Sequence, residues 1–589
     1  MLARKRLTMQ QPKVFIKSLW YRLSGWRFSQ HQQLLQTARQ RTLSTTAIAC
    51  VAFITIAVRL VDVMIIRTSA CPTCYQQQEY HLRQNITDRN GIILATQLIT
   101  ASVYANPKVI INAKEAADKL HKLFPHLKYD ALLQKLKSNQ GFIWIERHVS
   151  PKMQDIVHSM GIPGVYLQQD QKRVYPHGQL ACHVIGRCDI DGYGISGIEQ
   201  AFDQELSTKE GEFKLSLDIR VQHAVHNELV EAVAKFRAVA ANATVMNVKT
   251  GEIVAMVSLP DYDSNRQMKN LECGFNRNTL GVYEQGSTFK VINAAIALET
   301  GVVNPHTIVD ATNPVHIGRF KITDFKGENR PLTIVEALVH SSNIAAIKIA
   351  QKFGPDVQRH FLSLFGVTQP LSLEVPELGK SMLPKLWRET AMMSVSFGYG
   401  IAVTPLHSLC AIAAIVNNGS KPLPTLRFVA EENREARIKS FSQAPCVSEK
   451  TSKIIRQIMR MVVVKGTAKK ANVDGYHVFA KTGTAYQNKG KFGYGSDANR
   501  HRTTSFIGGF PANDPQYVMI IMLDDPQPVE GTYGYATAGW NVTPTAGKII
   551  ERIAPMLGVH SNFDDEVYSE IEGNNNMRLT ALKEESGDH

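Results

Sequence analysis

Apolar and polar positions divide the chain into regimes. The first apolar run, TTAIACVAFITIAVRLVDVMII from Thr45 to Ile66, is almost unbroken. Roughly twenty helical residues cross a bilayer core, so the run predicts a membrane-spanning helix at 44–67. From about 68 to 225, strand-like and short helical pieces mix without a sustained period, and Asp88-Arg89-Asn90-Gly91 marks a turn between two short strands. A second regime starts near Ala241. ATVMNVKTGEIVAMVSLP reads as a hairpin of Ala243–Val248 and Glu252–Ser258, turned at Thr250-Gly251. Apolar stretches predict helices at Thr288–Leu298, Ile334–Phe353 and Leu406–Val416, and strands at Tyr476–Ala480, Thr504–Phe510 and Tyr517–Leu523. Strands first, helices in the middle and strands last predict an α+β unit, an antiparallel sheet with helices packed on it. Ser561–His589 is rich in Asp, Glu and Asn and is expected to be a disordered tail.

At 589 residues the chain exceeds what one hydrophobic core organises. The pattern suggests a basic leader (1–43), an anchor (44–67), a first folded region (68–225), a second folded region (226–560) and an acidic tail (561–589). The formal net charge of +14 raises the question of nucleic acid, but its location argues against that partner. Arg4, Lys5, Arg6, Lys13, Lys17, Arg22, Arg27, Arg39 and Arg41 precede the apolar run, and no Asp or Glu occurs before Asp62. Such a leader orients a membrane segment with its N-terminus in the cytoplasm, leaving the rest of the chain outside. No clear small-x-small cleavage site follows the run, so the anchor is expected to be retained.

Arg59 and Asp62 are three apart and share a helix face. They read as an ion pair near the outer interface, as a contact with a polytopic membrane partner, or as both. Cys71-Pro-Thr-Cys74 lies just beyond the span, without the βαβ context of a redox motif, and reads as a local bridge or free thiols. With no second CxxC and no HExxH, the sequence makes no case for a metal.

The candidate chemistry begins at Tyr283-Glu284-Gln285-Gly286-Ser287-Thr288-Phe289-Lys290. The following residues are apolar on all sides, so the predicted helix is buried, with Ser287 in its first turn and Lys290 on the same face. A buried lysine near a second cation has a lowered pKa and can take a serine proton. Alone this is weak, since S-x-x-K occurs about twice by chance in a chain of this size. Two further elements change its weight. Ser341-Ser342-Asn343 opens the helix running to Phe353, and Lys481-Thr482-Gly483-Thr484 follows a predicted strand, where Gly483 would let a substrate backbone approach.

S-x-x-K, S-x-N and K-T-G in this order resemble the signature of penicillin-binding proteins and the related serine β-lactamases. The resemblance covers most of the chain from about residue 83. Arg83, Ile86-x-Asp88-Arg89-Asn90-Gly91-x-x-Leu94-Ala95, Arg173-x-Tyr175-Pro176, His183-x-x-Gly186 and Gly194-x-x-Gly197-x-Glu199 resemble the pedestal domain of class B members. Thr250-Gly251-Glu252-Ile253-x-Ala255-Met256 and Ser396-Phe397-Gly398-Tyr399-Gly400 resemble their transpeptidase domain, and TYGYATAGWNVTPTAGKII resembles septal members of the penicillin-binding protein 3 type.

This resemblance implies a β-lactamase-like catalytic domain on an elongated pedestal, attached to the inner membrane and working in the periplasm at the division site. Ser287 would attack the D-Ala–D-Ala carbonyl of a peptide stem, with Lys290 as base, Ser341 as proton relay and Asn343 bonded to the peptide. Lys481 would supply positive potential, Thr482 and Thr484 would bind the terminal carboxylate, and the N–H groups of Ser287 and Thr484 would form the oxyanion hole. β-Lactams would mimic D-Ala–D-Ala. Implied partners are peptidoglycan stems and their lipid-linked precursor, a polytopic glycosyltransferase and other division proteins; no cofactor is implied.

Gln285, Ala480 and His407 depart from the usual Pro, Gly and Gln of the family. A β-lactamase would add a water-activating group, and a β-lactam sensor more membrane and signalling sequence. An elongation-type transpeptidase and a division scaffold with secondary catalysis stand as alternatives.

Overall fold

The computed structural model describes residues 30–61, 83–209, 211–268, 270–318, 320–487 and 501–564. Among the described residues its first unit contributes α1 (Gln30–Val61). The 21 residues Arg41–Val61 are long and apolar enough to cross a membrane, which fits a single-pass anchor. Arg59 lies in the last turn of α1. Asp62, Cys71, Cys74 and most of the expected tail lie outside the described residues.

The second unit opens with β1 (Asn85–Thr87) and β2 (Ile93–Ala105), joined by the expected turn. Asp88 makes that turn: its Oδ1 accepts the N–H groups of Asn90 and Ile92 at 2.8 Å each. Then come α2 (Ala113–Leu123), α3 (Tyr129–Leu136), β3 (Ile143–Val149), α4 (Pro151–Ser159) and β4 (Val165–Val174). β2 pairs antiparallel with both β3 and β4. Val103, Ala105, Ile143 and Ile145 join Ala117, Leu120, Leu132 and Leu136 in a small core of their own.

The glycine-rich motifs beyond β4 read from pattern as plain loops, yet they enclose a buried charge cluster. Arg83 Nε and Arg173 Nε each donate to one carboxylate oxygen of Glu199 at 2.7 Å, with Glu199 wholly buried. Both guanidinium groups also reach backbone carbonyls, Glu199 O and Gln84 O at 2.8 Å, so the cluster is well bonded.

β5 (Glu212–Lys214) runs parallel to β1 and leads into α5 (Ile219–Phe236). The boundary expected between residues 225 and 226 falls inside this helix. Val221, Val225 and Leu229 of α5 are buried in the large core, so the helix belongs with the sheet that follows it. That region contains β6 (Ala240–Asn247), β7 (Ile253–Leu259), α6 (Phe289–Glu299), α7 (Ile334–Val339), α8 (Asn343–Phe353), α9 (Pro405–Val416), α10 (Glu449–Val464), β8 (Phe479–Tyr486), β9 (Arg502–Phe510), β10 (Tyr517–Asp524) and α11 (Val542–Met556). The strands form one antiparallel sheet in the order β8-β9-β10-β6-β7. Residues at odd and even positions of β6, β7 and β10 are buried alike, so both sheet faces are covered, with α5, α9, α10 and α11 against it.

Two elements differ from the sequence expectation, and both differences shape the site. The stretch Ile334–Phe353 is not one helix. It breaks between α7 and α8 at His340–Ser342, where Ser341 takes a left-handed φ of 59°. The Ser342 hydroxyl caps the restart by accepting Ala345 N–H at 3.0 Å. The strand expected at Tyr476–Ala480 begins only at Phe479, and Lys481-Thr482-Gly483-Thr484 lies inside it rather than after it. Each of these four residues pairs across to β9, from Lys481 with Ile507 to Thr484 with Thr504.

Candidate active site

Ser287 sits in a single helical turn, Gly286–Thr288, that runs directly into α6. The turn is wedged between two other segments. Gly286 N–H donates to Gly398 O at 3.1 Å, and Gly398, at φ 84°, leaves no room for a Cβ against the Gly286 backbone. On the other side a Cβ at Gly483 would lie 2.8 Å from Gln285 O and still closer to Ser505 Oγ. The packing of the serine turn therefore by itself demands glycine at 483. Gln285, standing in place of the usual Pro, fixes the same loop with its side-chain amide, which donates to Tyr283 O at 3.3 Å and Val403 O at 3.2 Å. Ser287 itself stays partly exposed.

Lys290 is one turn further on and only 2% exposed. Its Nζ donates to Ser341 O at 2.5 Å and to Asn343 Oδ1 at 2.6 Å, with Ser341 Oγ at 3.3 Å. Burial pulls its pKa down to about 7, against a smaller upward pull from Asp324. A neutral amine has two N–H groups and one lone pair. Ser341 O and Asn343 Oδ1 use the two N–H groups, which leaves the lone pair to accept a proton.

Lys481 approaches from the sheet. Wholly buried, it donates to Ser341 Oγ at 2.8 Å and to Thr482 O at 3.1 Å. Burial first, and then repulsion from Lys290, hold its pKa well below the ordinary lysine value. Ser341 Oγ thus lies between two buried amines, in a position set by its left-handed backbone. The structure brings together Lys290, Ser341, Asn343 and Lys481, with Ser287 at the head of the same helix as Lys290.

Thr482 and Thr484 carry bonds that the sequence did not suggest. The Thr482 hydroxyl shares a hydrogen bond with that of Thr467 at 2.6 Å, and Thr484 Oγ1 accepts Ala538 N–H at 3.2 Å. β8 stands at the end of the strand order, so one edge of it has no partner strand among the described residues. Such an edge carries backbone groups that an extended peptide can pair with.

Asp324 is the residue sequence reasoning missed. Its carboxylate accepts the Ser342 hydroxyl at 2.6 Å and the N–H groups of Asn343 at 2.5 Å and Ile344 at 3.1 Å. It therefore holds the start of α8, and with it Ser341 and Asn343, while placing negative charge near Lys290. It lies 17 residues before Ser341, outside any motif, and no local signal marks it.

A partly exposed serine followed by two buried, pKa-lowered amines that share a hydroxyl suits acyl transfer. Residues 241–551 match the penicillin binding protein transpeptidase domain, and residues 79–231 match the penicillin-binding protein dimerisation domain. A Caulobacter vibrioides relative named probable peptidoglycan D,D-transpeptidase FtsI is 34% identical over 502 residues, 82% of this chain and 83% of its own length. Peptidoglycan D,D-transpeptidase FtsI of Escherichia coli K12 is 28% identical over 494 residues, 77% and 80% of the two chains. A crystal structure of penicillin binding protein 3 from Mycobacterium tuberculosis, complexed with aztreonam, has the same fold, with a TM-score of 0.62 at 22% identity over 82% of this chain and 97% of that one. By these matches, over both of its folded regions, the chain belongs to the penicillin-binding protein transpeptidase family.

Proposed function

We propose that the chain is a membrane-anchored, serine-type peptidoglycan D,D-transpeptidase that cross-links peptide stems at the division septum, and that β-lactams acylate it at Ser287. The observation that carries this reading is the hydrogen-bonded run Lys290–Ser341–Lys481, both lysines buried, beside the turn that presents Ser287. Ser287 Oγ attacks the carbonyl between the two terminal D-Ala residues and passes its proton to the free lone pair of Lys290. The N–H groups of Ser287 and Thr484 receive the negative charge that develops on the carbonyl oxygen. As the C–N bond breaks, the proton moves from Lys290 through Ser341 Oγ to the leaving D-Ala amine. An amine of a second stem then attacks the Ser287 ester, its proton returns to Ser287 along the same groups, and the cross-link is made.

The substrate's terminal carboxylate, bound by Thr482 and Thr484, favours a proton on Lys481 that burial otherwise disfavours. Asn343, whose carbonyl oxygen faces Lys290, hydrogen-bonds the bound peptide through its amide. α1 holds this site at the inner membrane with the N-terminus cytoplasmic and the folded domains periplasmic. The region from 68 up to α5 serves as pedestal and that from α5 to 560 as the transpeptidase domain, and α1 and the pedestal engage a polytopic glycosyltransferase and other division proteins.

Fluorescent penicillin tests the reading directly. The wild type is expected to label covalently and Ser287→Ala not at all; an unlabelled wild type refutes the mechanism. Septal work predicts filaments on depletion, and rounded cells would assign the chain to elongation. Septal wall synthesis sustained by Ser287→Ala alone would make it a scaffold.

A further inference from the structure

Bordering the site is a strip of rings and cations that the acylation chemistry does not use. Tyr535 and Trp540 stack with centroids 6.1 Å apart and planes 10° from parallel. Tyr533 meets Trp540 edge-on at 5.3 Å, and Phe325 meets Tyr535 edge-on at 6.5 Å. A lysine ammonium stands over each stacked ring, Lys326 Nζ 4.8 Å from Tyr535 and Lys470 Nζ 3.7 Å from Trp540. Both lysines are exposed, and neither forms an ion pair with a carboxylate among the described residues.

The strip is tied to both walls of the site. Phe325 and Lys326 directly follow Asp324, which holds Asn343. Ala538, between Tyr535 and Trp540, donates its N–H to Thr484. Lys470 sits in the turn Lys469–Ala471, three residues after Thr467, whose hydroxyl bonds Thr482. A peptide paired along β8, with its terminal carboxylate on Thr482 and Thr484, therefore meets the residues to which two of these segments are fastened.

We propose that this strip is a subsite for an acidic side chain of the donor stem, with Lys326 and Lys470 taking a carboxylate other than the terminal one while the rings support the peptide's apolar stem. This rests on the transpeptidase reading and names a feature of its substrate. Two arguments select an anionic peptide. Among the described residues neither cation has a carboxylate or hydrogen-bond partner, and each ammonium rests on a ring face where an incoming oxygen can reach it. The terminal carboxylate has its own receptors in Thr482 and Thr484, so the strip is left for a second one.

The test uses the full-length chain in detergent and two synthetic peptides ending in D-Ala-D-Ala. They differ only in whether the side chain before that pair carries a free carboxylate or its amide. In low salt the wild type is expected to release D-Ala from the acidic peptide with a kcat/KM about tenfold higher, mostly through KM. The preference should shrink as salt is added. The double variant Lys326→Ala/Lys470→Ala should lose that preference, its rate falling about tenfold for the acid and much less for the amide. A wild type that treats both peptides alike, or a double variant that keeps the preference, overturns the subsite. A wild type that releases D-Ala from neither peptide overturns the transpeptidase reading and the subsite with it.

Discussion

Acylation of the wild-type chain by a penicillin should rise with pH through about 7 and level off above it, because only the neutral form of Lys290 can take the Ser287 proton. At an ordinary lysine pKa near 10.5, about one molecule in 3,000 would hold a neutral amine at pH 7. At about 7 half of them do, a gain of about three orders of magnitude in competent enzyme. The same shift has a stability cost. A lysine whose folded pKa lies below its unfolded value binds fewer protons when folded, so stability rises with pH between about 7 and 10.5. At neutral pH the deficit is about 4 kcal/mol relative to an unperturbed lysine.

Asp324→Asn separates the charge at this site from its geometry. The amide oxygen still accepts the N–H groups of Asn343 and Ile344, so α8 keeps its start, while the negative charge that raises the Lys290 pKa is gone. The acid limb of the profile should then move to lower pH. Stopped-flow measurement of the second-order acylation rate across about pH 5 to 9 reads both curves. A wild-type profile without an inflection in that range, or a limb that stays in place in Asp324→Asn, would refute the assignment of Lys290 as base.

Three other outcomes follow from single contacts. Lys290→Arg should lose at least about a thousandfold in acylation rate while remaining folded by circular dichroism, since a guanidinium does not deprotonate near neutral pH. Gly398→Ala drives a Cβ into the Gly286 backbone from a left-handed φ and should slow penicillin labelling more than about tenfold, with a lower Tm. Glu199→Gln leaves the buried Arg173 without a carboxylate and Arg83 with Asp203 alone, and should cost about 3–5 kcal/mol, read as a lower denaturation midpoint. In that variant, labelling under native conditions should persist, because the cluster does not touch Ser287.

What could be read from the chain depends on how local the cause is. The hairpin of β6 and β7, the helix α9 and the strands β9 and β10 all come from short-range patterning, and each falls within a few residues of its predicted place. Lys481-Thr482-Gly483-Thr484 was placed beyond its strand because a Lys-Thr-Gly-Thr run has no apolar alternation. Its strand state comes from the ladder to β9, whose partner residues are 20 to 26 positions away. The helix break at Ser341 was legible on one side only: Ser341-Ser342-Asn343 reads as a helix start, but nothing local ends the apolar run before it. Ile334–Phe353 is apolar enough to continue, and the side chain that restarts it at Asn343 belongs to Asp324.

The three motifs were legible because each keeps its reacting groups within four residues, close enough for spacing alone to bear meaning. What joins them was not. The contacts that make Lys290 and Lys481 share one hydroxyl span 51 and 140 positions, and the desolvation that gives Lys290 its chemistry comes from a core closed around both. Composition shows a lysine; only burial shows a base. The same separation explains why the acidic-side-chain subsite had no sequence signal, since Phe325, Lys326, Lys470, Tyr535 and Trp540 come from three distant segments. Their meaning depends on two of those segments being fastened, through Thr482 and Thr484, to the strand that carries Lys481, and on the third being fastened through Asp324 to the helix that carries Asn343.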